Sequence, residues 1–255
     1  MQSTPTDSET IRLLENRVSV RAYEERPVED ETVKAVLKAA FRAPTSSNIQ
    51  AYSVIVVRDR AIRDRLAEIA GEQMHVRKAP VFLAFCADLT RMEVAMGMAG
   101  HDLGPINLEM GLVSSIDASL VGMSAYLAAE SLGLKGVMIG GLRNDAVKTA
   151  RALELPKRVY CVFGMCLGFP AKIPQQKPRM DFSQMVHFDR YGALEDDRAP
   201  ADAIPDYDDD LSAHYTGLGM DTAAAAWSEV IGKKFQLQPR PELAKQLKQQ
   251  GFDFS

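Results

Sequence analysis

The sequence predicts an α+β protein, on three observations. Four short apolar runs, at residues 53–57, 81–87, 135–139 and 158–167, have the length and the side chains of buried strands. Between them lie stretches with apolar residues at helical spacing, and one long central segment is apolar on most of its faces. With 255 residues and 46% apolar composition, the chain has material for a sizeable core in one domain or two.

Taken in order, Asp7 or Ser8 caps a first helix that runs to Asn16. Pro27 and the acidic turn Glu29, Asp30 and Glu31 announce a second, with Val33, Val36, Leu37 and Ala40 as its apolar stripe. Between these helices, residues 17–23 alternate polar with β-branched side chains, which favours an extended chain. A polar loop, 43–52, leads into the first strand, and residues 59–71 form an amphipathic helix with Ile62, Leu66 and Ile69 inward. In the segment 116–132, Ile116, Leu120, Met123 and Leu127 share helical spacing and the other faces are small and apolar. Such a helix is expected to be buried all round, at a central position or a subunit interface. Residues 144–153 read as a helix and 170–192 as a long loop rich in Pro, Gln and charge. From Tyr207 the tail holds two helical stretches, the first with Trp227 and the last over 242–250.

Composition excludes several classes of function. A formal net charge of -4 and a pI near 5.7 leave no basic face for nucleic acid or anionic lipid. The run 114–134 carries Asp117 and Glu130, so it reads as a buried helix and not a membrane span. Residues 1–15 are polar and acidic, unlike a secretory leader, and a cytoplasmic location is expected. Cys86, Cys161 and Cys166 lie inside apolar runs as core thiols, and the four histidines form no metal-binding pair.

Chemistry is carried by clusters of cations and glycines. On an extended chain Arg17, Ser19 and Arg21 project from one side and form a phosphate clamp, although an exposed edge pairing with Glu24 or Glu25 has the same residues. Lys177-Pro178-Arg179 again sets two cations on a common side; a solvated loop is the alternative. Ile139-Gly140-Gly141 lets main chain approach a flat ligand, or simply turns. Residues 43–50 form a dense run of short hydrogen-bonding side chains. There is no GxGxxG after a strand, no P-loop, and no nucleophile with a base in a known motif. A clamp without these parts points to a cofactor that brings its own reactivity.

Taken together, Arg17-Val-Ser-Val-Arg21, Ala43-Pro-Thr-Ser-Ser-Asn-Ile-Gln50, Gly71-Glu-Gln-Met-His75, the stretches 133–144 and 163–170, and Lys177-Pro-Arg179 resemble the nitroreductase family. The likeness runs in order from about residue 10 to the C-terminus, through Trp227-Ser228 and Arg240-Pro241, and is nearest the oxygen-insensitive, NADPH-dependent nitroreductases and flavin reductases. It implies an α+β nitroreductase-like fold, with a central, mostly antiparallel sheet flanked by helices, in an intertwined homodimer carrying FMN at the subunit interface. Residues 1–200 would be the FMN-binding domain and 201–255 a helical extension packing on the dimer and the active-site entrance.

The resemblance assigns the FMN phosphate to Arg17, Ser19, Arg21, Lys177 and Arg179, with Val18 in the same stretch. It places Thr45, Ser46 and Ser47 along the flavin from the partner subunit, Gln73 at the pyrimidine edge, and the backbone of Ile139, Gly140 and Gly141 against the central ring. Ser47, Asn48, Arg143 and Arg240 match positions near the acceptor. The implied reaction is ping-pong, from NADH or NADPH to FMN and then to a small-molecule electron acceptor such as a nitroaromatic, a quinone or free flavin. A flavin carrier or sensor without turnover, and a relative with its own special substrate, are the other readings. Two positions depart from the pattern: Val18 stands where arginine is usual, and residues 218–226 hold no cation where NADPH-specific relatives hold arginines. NADH is therefore expected to serve at least as well as NADPH.

Overall fold

A strand buried on both faces needs an apolar layer on each side, and Val81–Asp88 (β2) is such a strand. The computed structural model describes residues 6–196, 198–220 and 226–254. It places β2 in a four-stranded sheet of order β1 (Tyr52–Val57), β2, β4 (Val159–Gly168), β3 (Lys135–Ile139), with every neighbouring pair antiparallel. All four strands stand within a residue or two of their predicted places.

The chain divides into two compact units, one of Met1–Pro174 with Arg240–Ser255, the other of Gln175–Pro239. In the first unit the helices are α1 (Glu9–Glu15), α2 (Asp30–Ala40), α3 (Arg60–Ile69), α4 (Met74–Lys78), α5 (Thr90–Met98), α6 (Leu108–Ser131) and α7 (Ala146–Ala152). Ser8 caps α1 through its side chain and Pro27 stands just ahead of α2, as the sequence predicts, and Asp59 caps α3 in the same way. The second unit contains α8 (Phe182–Met185), α9 (Pro200–Gly217) and α10 (Trp227–Phe235), after which α11 (Leu243–Gln249) belongs to the first unit again.

The pleat of β2 sends Leu83 and Phe85 to one side, where α2 and α6 pack through Val33, Val36, Ala118, Val121 and Ala125. Phe82, Ala84 and Cys86 face the other, where Leu66, Ala67 and Leu142 join the thiols of Cys161 and Cys166. A third cluster ties Phe252 and Leu247 to Tyr160, Leu89 and Ile106. The three cysteines are thus buried and free, and burial pushes the Cys166 thiol far above its ordinary range.

Helix α6 differs from its prediction in two ways. It starts at Leu108, capped by Asn107, earlier than the spacing of Ile116 and Leu120 indicates. It is also not buried all round in the single chain: small residues face the sheet, so that a Cβ on Gly122 would stand 2.4 Å from Phe163, while Leu108, Leu112, Ile116 and Leu120 are exposed. These four, one turn apart, form an apolar stripe. By length and composition α6 is the one described helix that could cross a membrane, but its two buried carboxylates are engaged within the fold.

Four of the described helices lie where no helix is expected, among them the single turn of α8, inside the stretch 170–192 that reads as a loop. α5 and α4 are too short or too evenly apolar to show a stripe, and α9 contains Pro205 and an acidic run at Asp206 and 208–210, which masks its periodicity.

The Tyr126 hydroxyl, deep in α6, lies 2.9 Å from the carbonyl of Val18 and 3.1 Å from that of Gly136, and donates to them. Val20 N–H donates to the same Gly136 carbonyl at 2.9 Å, so residues 17–21 run extended beside β3 without joining the sheet as a strand. Glu130, one turn on, is fully buried at its side chain and pairs with Lys135 at 2.9 Å.

Gly136 allows this close packing, because a Cβ there would stand 2.3 Å from the main-chain oxygen of Cys166. Gly136→Ala should therefore lower stability by about 1–3 kcal/mol, read from the urea midpoint. Tyr126→Phe should cost about 1–2 kcal/mol. Burial, with the Glu130 carboxylate, pushes the Tyr126 hydroxyl up to about 12. Its contribution is then complete below pH ~10, where an unfolded tyrosine begins to ionise, and is lost as the pH rises through the folded value. Urea midpoints between pH 7 and 12 should show the Tyr126→Phe deficit shrinking at the alkaline end.

Candidate functional site

The alternation of residues 17–21 persists in three dimensions. Val18 and Val20 are 7% and 0% exposed and point into the core, while Arg17 and Ser19 are half-buried and Arg21 is exposed. Arg17 Nη1 lies 3.5 Å from Ser19 Oγ, and Arg21 Nη1 lies 3.4 Å from the Ser19 carbonyl. Two guanidiniums therefore stand at Ser19, one on its hydroxyl and one on its carbonyl, and with that hydroxyl form a donor set suited to a phosphate. With its side chain in the core, Val18 has only its main chain to offer this row.

From Arg21 the site continues through neighbouring elements of the first unit. Burial, and then the positive charge of Arg21, hold the His75 imidazole in α4 below its ordinary range. Gln73 stands at the N-cap position of that helix, and its side chain donates from Nε2 to the Ala70 carbonyl at 2.9 Å instead of capping the helix. Against the same carbonyl packs Gly141, where a Cβ would come within 2.8 Å, so only glycine fits. Ile139 is buried at the end of β3, and Gly140 opens the turn that follows.

Two arginines close around that turn. Arg240 donates from Nε to Asn144 Oδ1 at 3.0 Å and from Nη2 to the Gly140 carbonyl at 3.3 Å. Arg143 donates to the Val162 carbonyl, with its guanidinium 3.5 Å from where a Gly140 side chain would begin. Burial and the nearby charge of Arg143 lower the Arg240 guanidinium from its ordinary value. A partly buried pair of like charges favours an anionic visitor.

Thr45, Ser46, Ser47 and Asn48 occupy a separate feature, a tight turn over Ser46–Asn48. Ser47, Asn48 and Gln50 have φ of 46°, 56° and 51°, and the turn is anchored on Asp117 of α6. In the second unit, Lys177 donates to the Tyr215 hydroxyl at 2.5 Å and lies 4.8 Å above its ring. Arg179 bonds to the carbonyls of Lys177 and Pro178 and lines a cavity of about 200 Å³ with Met180, Ile204, Tyr207 and Trp227. The stretch 218–226 lies outside the described residues over 221–225.

Sequence reasoning passed over His75, Tyr126, Asn144 and Asp117. Asn144 ends the quoted glycine stretch and carries an amide that bridges Ile69 and Arg240, so a signal was present. Asp117 registered only as a charge against membrane insertion, although an acid in an apolar helix must find partners once it is buried.

Comparison with known proteins shows the family of the chain. The model of the nitroreductase family matches residues 14–169, and that of its C-terminal domain matches residues 177–255. The chain is 36% identical over 250 residues to the oxygen-insensitive NADPH nitroreductase of Salmonella typhimurium, covering 96% of this chain and 98% of that one. It is 33% identical over 246 residues to the FMN reductase (NADPH) of Bacillus subtilis, covering 96% and 98%. Among solved structures, the NADPH:FMN oxidoreductase of Vibrio harveyi in complex with NAD+ superposes with a TM-score of 0.86 at 32% identity, over 96% of this chain and 99% of that one. On a family model that matches more than half of its length and a relative 36% identical over 96% of it, the chain belongs to the nitroreductase family.

Proposed function

We propose that the protein is an FMN-dependent oxidoreductase that takes hydride from NAD(P)H and passes electrons to a small acceptor such as a nitroaromatic, a quinone or a free flavin. The observation that carries this reading is the outward row of Arg17, Ser19 and Arg21, in a chain whose likeness to NADPH-dependent flavin and nitro reductases spans 96% of its length. Their donor chemistry fits the phosphate of FMN, and the Gly140-Gly141 turn, where Gly141 admits no side chain, fits a flat ring lying against main chain.

When bound, FMN supplies a ring that accepts hydride at N5 and releases electrons to a second molecule. Arg17, Ser19 and Arg21 neutralise and orient the phosphate, and the family pattern adds Lys177 and Arg179 to that role. Gln73 would hold the pyrimidine edge of the flavin and the main chain of Ile139, Gly140 and Gly141 its ring, to which a main-chain N–H would offer a hydrogen bond that favours negative charge. Arg143 and Arg240 draw in anionic acceptors, with Ser47 and Asn48 contributing from the polar turn. A donor and an acceptor that use one open face in turn need no dinucleotide fold, in keeping with the absence of a GxGxxG turn.

The reading includes a homodimer in the cytoplasm. The exposed stripe of Leu108, Leu112, Ile116 and Leu120 on the central helix supports the dimer, since such a row invites a second copy. Buried free thiols accord with a reducing compartment. Residues 218–226 support NADH as a donor at least equal to NADPH, since alanines gain nothing from a 2'-phosphate.

Arg21→Ala should weaken FMN binding by roughly 10- to 100-fold, the loss of a charge-assisted hydrogen bond of about 1.5–3 kcal/mol, in a fluorescence titration. Unchanged affinity would sink the phosphate assignment. Anaerobic stopped-flow reduction of the bound flavin, run with each nicotinamide and followed by a panel of oxidants, tests the reaction itself. NADH should match or exceed NADPH in kcat/KM; a clear NADPH preference would show that other groups bind the 2'-phosphate.

A further inference from the structure

Residues 45–51 adopt a conformation that their own side chains disfavour. Ser47, Asn48 and Gln50 all lie in the left-handed region, with φ of 46°, 56° and 51°, and none is glycine. Three such residues so close together persist only where the surroundings hold the segment in place.

Asp117 is 1% exposed, and its carboxylate grips the turn from both ends. Oδ1 accepts the Ser46 N–H at 3.1 Å and Oδ2 accepts the Ala51 N–H at 3.1 Å. Hydrogen bonds to an ionised acceptor are stronger than neutral ones, and a buried carboxylate needs such donors as much as they need it. Asparagine keeps the shape but turns an NH2 toward one of the two N–H groups, so one bond becomes a repulsion.

The position of Asp117 gives this grip its meaning. Its neighbours Ala118 and Val121 pack on the sheet, while Ile116 and Leu120 belong to the exposed stripe. We propose that Asp117 is a positioning residue that holds residues 45–51 in the shape that borders the flavin ring, tying this turn to the helix on which two subunits meet. The inference rests on the assignment of Thr45, Ser46 and Ser47 to the flavin edge given above.

The test titrates the full-length protein with FMN and with riboflavin, which lacks the phosphate. Asp117→Asn should weaken both by about tenfold or more and leave their ratio unchanged, since ring contacts are lost and phosphate contacts kept. Gln50→Gly, which accepts a left-handed φ without strain, should alone leave both affinities within about threefold and in the double variant recover most of the loss. Unaltered affinities in Asp117→Asn, or no recovery in the double variant, overturn the inference. Ser47→Val, which disfavours the turn directly, separates the two possible failures. If it weakens both ligands while Asp117→Asn does not, only the role of Asp117 falls; if neither variant matters, the flavin-edge assignment falls with it. Should Asp117→Asn fail to fold, amide exchange on the unaltered protein decides: Ser46 and Ala51 should exchange at least about tenfold more slowly than Ser47, and equal rates overturn the inference.

Discussion

Everything near the proposed site depends on how one long helix satisfies the polar groups it carries into the core. α6 buries Asp117, Tyr126 and Glu130 along a face otherwise made of Gly, Ala, Val and Ser114. Each has found partners outside the helix: the turn at 46–51, the carbonyls of Val18 and Gly136, and the ammonium of Lys135. A buried donor or acceptor without a partner costs more than a made bond contributes, so these contacts are constraints on the fold before they are sources of stability. Their common effect is that the extended row at residues 17–21, the edge of β3 and the polar turn take their places from one rigid element.

The fold was legible wherever the pattern was local. Runs of β-branched and aromatic residues marked the four strands, a capping residue marked α1, and an apolar stripe marked α3. Legibility failed where two demands overlapped. α6 has no preferred apolar face in sequence because one side packs on the sheet through small residues and the other presents Leu112, Ile116 and Leu120. In α9, Pro205 and the clustered aspartates speak for a loop, yet Leu211 and His214 are buried and the helix holds.

Within the site, residues whose chemistry is unusual for their place could be picked out in advance. Arg17 and Arg21 stood out against Val18 and Val20 by alternation alone, and Gly141 by its doublet. Groups that act on other residues left no such mark. Asp117 is distant in sequence from the turn it holds, and Tyr126 is 108 residues from the Val18 carbonyl it meets. Such pairings arise only when the sheet and helix are assembled.

The chain leaves its first unit after Pro174 and re-enters at Arg240, where Arg240 at once engages Asn144 and Gly140. The segment between is therefore an insertion whose two ends are fastened to the same body, with α11 and Phe252 sealing the return. A stretch moored in this way is free to diverge in length and composition at little cost to the body that holds its ends. Its variation is thus decoupled from the folding of the scaffold, which keeps its own core whatever the segment becomes.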